Sequence, residues 1–157
     1  MKLDTRIKQA LLEINFVERY EKLSTYYSQK RTPKGQELDY FDGDFLMEIV
    51  ELLGYKAQYD KRERFFHIDL ESVEKFQFGF HFSLEYGRLE LIWVVYEGDK
   101  VVLGSPWTRY PRLMIARDYI IKQPIISDYV DFRDVMKIAF EMYEDFKQVF
   151  LKIAKDK

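Results

Sequence analysis

Between residues 76 and 86 the chain alternates strictly. Phe76, Phe78, Phe80, Phe82, Leu84 and Tyr86 occupy every second place, with Gln77, Gly79, His81, Ser83 and Glu85 between them. A period of two belongs to a strand with one apolar and one mixed face. The dipeptide Gly87-Arg88 has the Gly-first form of a type II′ hairpin turn. That turn places Glu85 opposite Glu90, Leu84 beside Leu91, Phe82 beside Trp93 and Phe80 beside Val95. A second turn at Gly98-Asp99 puts Tyr96 opposite Val101 and Val94 opposite Leu103, which makes 89–96 a central strand. The second face then carries Ile92, Val94, Tyr96, Val101 and Leu103, and grades from apolar to polar toward Glu85.

The flanking segments carry the helical period instead. Apolar residues at Ile7, Leu11, Ile14, Val17, Tyr20, Leu23 and Tyr27 predict one long helix from Asp4, ending before Pro33 and Gly35. Asp42 or Asp44 can cap a second helix with Phe45, Leu46, Ile49, Val50 and Leu53 inward and Gly54 as its left-handed terminus. Residues 55–59 and 64–70 read as strands around the charged turn Asp60-Lys61-Arg62-Glu63. After the irregular stretch 105–111, a short helix is expected over 112–119. A last helix then starts at a cap supplied by Ser127, Asp128 or Asp131. Its stripe is Val135, Ile138, Met142, Phe146, Val149 and Ile153, and Lys152, Lys155 and Lys157 stand near its negative end. No repeat or linker divides the chain. The expectation is one α+β domain over 1–157, with two N-terminal helices, an antiparallel meander of about five strands and a long C-terminal helix.

Composition narrows the chemistry. The 157 residues include no cysteine, which removes thiolate metal sites, cysteine nucleophiles and thiol redox reactions. The segment Met1 to Arg6 lacks the apolar core of a signal peptide, so cytoplasm is the expected compartment, and no apolar run has membrane-spanning length. The formal charge of −2 provides no overall field for nucleic acid. Twelve tyrosines are more than a core needs, because each buried hydroxyl requires a partner; part of them is expected on a surface.

Four constellations compete as sites. Glu85 and Glu90, opposed across the hairpin with His81 on the same face, could form an acid/base pair for a small hydrolase-like enzyme, although solvent screening near a hairpin end opposes this. His67 and His81 with those acids could in principle hold a metal, but two histidines without motif spacing give no metal expectation. Glu37, Asp39, Asp42, Asp44, Glu48 and Glu51 form an acidic cluster whose spacing is not that of a calcium loop. Capping accounts for much of it, while Tyr40 and Phe41 within it suit an anionic patch for a basic protein partner. Arg109, Arg112 and Arg117 lie near Trp107 and Tyr110, a combination compatible with single-stranded nucleic acid or with a protein interface. Trp107, between Pro106 and Pro111, either closes the core or is presented to a partner. The expected partner-binding set is therefore Glu37, Asp39, Tyr40, Asp42, Asp44, Trp107, Arg109 and Tyr110, with no catalytic residue and no cofactor.

Two features carry a resemblance: the hairpin Phe76 to Tyr96, with Tyr86-Gly87-Arg88-Leu89-Glu90-Leu91 at its turn, and the following Gly104-Ser105-Pro106-Trp107. Set between N-terminal helices and a C-terminal helix, the arrangement resembles the small cytosolic immunity proteins of bacterial polymorphic toxin systems. That resemblance implies a non-catalytic protein that binds one cognate toxin domain and blocks its active site or an essential surface. A secretion-chaperone-like binder is the near alternative. An uncovered part of the second sheet face would also allow a homodimer.

Overall fold

In the computed structural model the described residues are 2–156; Met1 and Lys157 lie outside them. The order is α1 (Thr5–Glu13), α2 (Phe16–Tyr26), α3 (Gly43–Leu52), β1 (Ala57–Asp60), β2 (Phe65–Ile68), β3 (Glu71–Val73), β4 (Phe76–Glu85), β5 (Arg88–Glu97) and β6 (Lys100–Leu103). A single 3-10 turn (Trp107–Arg109) leads into the short α4 (Tyr110–Met114), and α5 (Tyr129–Asp156) closes the chain. The sheet is antiparallel, with β1-β2-β4-β5-β6 side by side and β3 paired to β4 beyond the end of β2. The α+β expectation holds, with six strands and three helices before the sheet in place of about five and two.

The long first helix is broken. Asn15 adopts a left-handed conformation (φ 56°) between α1 and α2, which asparagine tolerates better than most residues. The break shifts the inward stripe by one position, so Phe16, and not the expected Val17, is fully buried. Residues 112–119 do not form the expected helix either; α4 begins earlier, with Pro111 in its first turn, where a missing N–H costs nothing.

The central hairpin turns two residues away from its expected register. Glu85 faces Arg88, Leu84 faces Leu89, Phe82 faces Leu91, Phe80 faces Trp93 and Phe78 faces Val95. Tyr86 (φ 53°) and Gly87 (φ 75°) are the central residues, the paired positive angles of a type I′ turn, so Gly-Arg is not the turn dipeptide. The second turn is as expected at Tyr96 opposite Val101, but a bulge between Val95 and Tyr96 sets Leu103 opposite Val95 and sends Leu103 into the core.

The apolar side chains of one face of β4 and β5 all belong to the core. Helix α5 lies along β4: Phe132 packs on Phe82, Phe140 and Tyr143 on Phe80, and Phe150 on Phe76 and Phe78. Trp93 stacks on Phe146 with ring centroids 4.7 Å apart. Such aromatic pairs contribute about 0.5–1.5 kcal/mol each beyond their area burial. Asp128 caps α5 by accepting from Asp131 N at 2.8 Å.

The buried Asp131 reaches outward from that cap. It accepts hydrogen bonds from Ser127 and from Arg31, the latter at 2.8 Å, and the Arg31 guanidinium lies over the rings of Tyr26 and Tyr27. Burial pushes the Asp131 carboxyl up, but hydrogen bonds from Arg31 and Ser127 outweigh it and hold the group below its ordinary value. Because the folded value is the lower one, the pair stabilises fully above the unfolded carboxyl pKa, and its contribution is lost as pH falls through the folded value. Arg31→Gln should therefore cost about 1.5–3 kcal/mol at neutral pH, since it strands a buried carboxylate. Thermal melts of the two proteins should converge as pH is lowered toward 3; a constant gap from pH 7 to 3 would show that the ion pair contributes nothing.

Candidate functional site

The loop before α3 is held at three places. Leu38 N donates to Ile126 O at 2.8 Å, Asp42 N donates to the Tyr129 hydroxyl at 3.0 Å, and the Asp42 carboxylate accepts from Asp44 N at 3.0 Å as the cap of α3. Between these anchors Tyr40 stands 95% exposed, with Asp39 exposed beside it. A tyrosine so fully in water is uncommon for a ring that size and is the most exposed aromatic among the described residues.

Next to Tyr40 the chain turns inward at Phe41 and opens a hollow of about 320 Å³, lined by Phe41, Asp42, Gly43, Asp44, Met47, Tyr59 and Phe66. Its floor is aromatic: Tyr59 meets Phe66 at 4.7 Å and Phe41 meets Phe66 at 6.5 Å between ring centroids. Two carboxylates, Asp42 and Asp44, stand at its rim, both exposed. An acidic rim over aromatic faces accepts a lysine or arginine side chain, whose charged head meets the carboxylates while its stem lies on the rings.

Of the expected partner-binding residues, the fold brings Asp39, Tyr40, Asp42 and Asp44 into this one surface. Glu37 belongs elsewhere, since its side chain packs against the hairpin turn at Gly87 and its carboxylate accepts from Gly35 N. A hydrogen bond from its own backbone N–H, helped by those from Gly35 and Gln36, lowers its pKa from the ordinary value against the opposing effect of burial. Trp107 is 1% exposed and packs edge-on against Phe16, Tyr20 and Trp93, so it closes the core. Tyr110 is also buried; its hydroxyl donates to Ser105 O at 2.8 Å and accepts from Trp93 N at 3.3 Å, and burial pushes its pKa well up. Arg109 is exposed but lines a different cavity. Met47, Tyr59 and Phe66 escaped the sequence reading because they come from three separate elements. Their one signal is the β1-β2 turn, which sets Tyr59 opposite Phe66.

The other face of β4 and β5 is less fully covered, with Gln77, His81, Ser83, Glu85, Glu90 and Ile92 exposed or half-buried. Near the hairpin end it has a cleft of about 350 Å³ whose lining includes Ser83, Glu85, Arg88, Glu90 and Ile92. The observed register dissolves the expected carboxylate pair: Glu85 faces Arg88 and Glu90 faces Ser83. His81 stands outside this cleft, stacked on Phe65 at 4.6 Å and beside His67 at 6.1 Å. Burial, and then the neighbouring His67, lower its pKa, which favours the neutral ring. Among the described residues, no three His, Asp or Glu side chains gather as a metal-ligand set. No described helix is long and apolar enough to cross a membrane.

The fold and site define a two-layer α+β protein with an acid-rimmed aromatic hollow. No protein-family model matches the chain, and no curated protein or solved structure matches it.

Proposed function

We propose that the protein is a non-catalytic binding module that docks a basic protein partner on the surface formed by Asp39, Tyr40, Asp42 and Asp44, as an immunity protein or inhibitor covers a toxin domain. The observation that carries this reading is Tyr40, 95% exposed on an anchored loop at the edge of an acid-rimmed aromatic hollow. Tyrosine is an interface anchor because it buries a large rigid ring with little entropy to lose, and a loop already tied at Leu38 and Asp42 lowers the ordering cost further. The carboxylates add steering and register for a cationic partner. A cytosolic location fits a protein that neutralises a toxin made in the same cell.

Co-expression with a toxic protein encoded beside it tests the proposal. Tyr40→Ala should weaken the complex by roughly thirtyfold, the size of an interface hot spot, with unchanged thermal stability. The pair Asp39→Lys and Asp44→Lys, which leaves the Asp42 cap intact, should slow association and abolish protection. Full protection by all these variants would sink the assignment of the surface. An extended, unfolded partner in the purified complex would favour the chaperone-like alternative.

A further inference from the structure

We infer that Arg109, Arg112 and Arg117 form a binding site for a small diffusible anion bearing phosphate groups, of the size of pyrophosphate or a compact phosphate ester. These three side chains, with Leu113, line a cleft of about 380 Å³. The site is independent of the protein-binding surface proposed above, which lines a separate hollow.

The backbone under this cleft is fixed. Trp107, Tyr110 and Pro111 are buried, and the Tyr110 hydroxyl is tied to both Ser105 O and Trp93 N. With those side chains inward, Arg109 and Arg112 point from the same short turn into solvent. The chain then doubles back, with Ile115 N bonded to Pro111 O and Tyr119 N to Ala116 O, which returns Arg117 to the same cleft. Arg112 Nε donates to Arg117 O at 2.9 Å, an anchor that orients the guanidinium and leaves its two terminal nitrogens available.

Like charges gathered at one cleft repel unless a counter-ion sits among them. Among the described residues, none of these three arginines has a carboxylate within ion-pair distance, whereas Arg6, Arg19, Arg31 and Arg133 each have at least one; Arg62, Arg64 and Arg88 are also without one, but only Arg109, Arg112 and Arg117 line one cleft as a group of three. Arginine recognises oxyanions by paired N–H donors, and three forks supply more charge than one carboxylate can match. A multiply charged phosphate group balances them. A nucleic-acid strand fits less well: the chain's net charge is −2, and a cleft of this volume is the size of a small-ligand site.

Calorimetric titration of the full chain with inorganic pyrophosphate at about 50 mM salt is expected to show one site of sub-millimolar affinity. Arg109→Gln and Arg117→Gln should each weaken it roughly tenfold or more. The corresponding lysine variants should fall between wild type and glutamine, since they keep the charge and lose the fork. Arg62→Gln, remote in sequence and absent from the cleft lining, should bind as wild type does. All these residues are exposed, so melting curves should overlay. The inference is overturned if pyrophosphate gives no binding, if citrate binds equally well, if the Arg109 and Arg117 variants bind unchanged, or if a single-stranded oligonucleotide binds more tightly through the same arginines.

Discussion

Trp107→Ala is expected to destabilise the protein by about 3–5 kcal/mol, the cost of emptying a large aromatic site in a well-packed core. The ring is surrounded by three others, with centroids of Phe16, Tyr20 and Trp93 at 5.1, 5.2 and 5.1 Å and planes near perpendicular. None of those neighbours can collapse into the vacancy freely, because Phe16 and Tyr20 are fixed on α2 and Trp93 is wedged against Phe146. Trp107→Phe gives the contrasting result. The Nε1 of Trp107 is buried with no hydrogen-bond partner among the described residues, so phenylalanine removes an unpaired donor along with some volume. Its cost should be about 1 kcal/mol or less. Urea unfolding of the two variants checks both values. A Trp107→Ala protein as stable as wild type would mean that the ring is not in the core.

Gly87→Ala should be nearly as damaging, at about 2–5 kcal/mol, through two separate effects. Gly87 has φ +75°, a conformation that costs an L-residue about 1–2 kcal/mol. A β-carbon there would also lie 2.3 Å from Glu37 Cβ and 3.2 Å from Glu37 Cα, so backbone must move, and not merely the end of a flexible side chain. The loop it would displace is the one that presents Tyr40. Gly87 O accepts from Ile126 N at 2.7 Å, and Ile126 O in turn accepts from Leu38 N at 2.8 Å. Hydrogen exchange at the Leu38 and Ile126 amides should accelerate in Gly87→Ala. Gly98→Ala serves as the comparison: its φ is +60° with nothing within 4 Å of the added carbon, so only the conformational cost of about 1–2 kcal/mol applies. Equal losses at the two glycines would show that Glu37 is not pressed against the turn.

The alternation in 76–86 was sufficient to identify the sheet's core face, yet it could not place the hairpin. A slip of two residues leaves every side chain on its original face, so Tyr86-Gly87 and Gly87-Arg88 satisfy the pattern equally. The turn that forms is the type I′ one, with Tyr86 and Gly87 both at positive φ, a conformation a tyrosine does not announce. The break at Asn15 was hidden for a related reason, since apolar residues continue at helical spacing on both sides of it. At the site, acidic residues and Tyr40 are contiguous and therefore legible. The hollow is not, because Met47, Tyr59 and Phe66 become neighbours only when α3, β1 and β2 assemble. Trp107 sat in a stretch without periodicity, and pattern gives no direction to such a side chain.

The packing of α1 and α2 beside α5 also sets the order of events as the chain is made. Arg19 finds its ion-pair partner Asp145 126 residues later. The Phe16 ring waits for Trp93 and Trp107, and Trp93 for Phe146. While the ribosome is still extending the chain through the sheet, the β4-β5 hairpin can zip up from its own turn, but its apolar face has no lid until the last helix emerges. The nascent protein thus carries its row of phenylalanines without the cover of α5 from the making of β4 until the last helix is made.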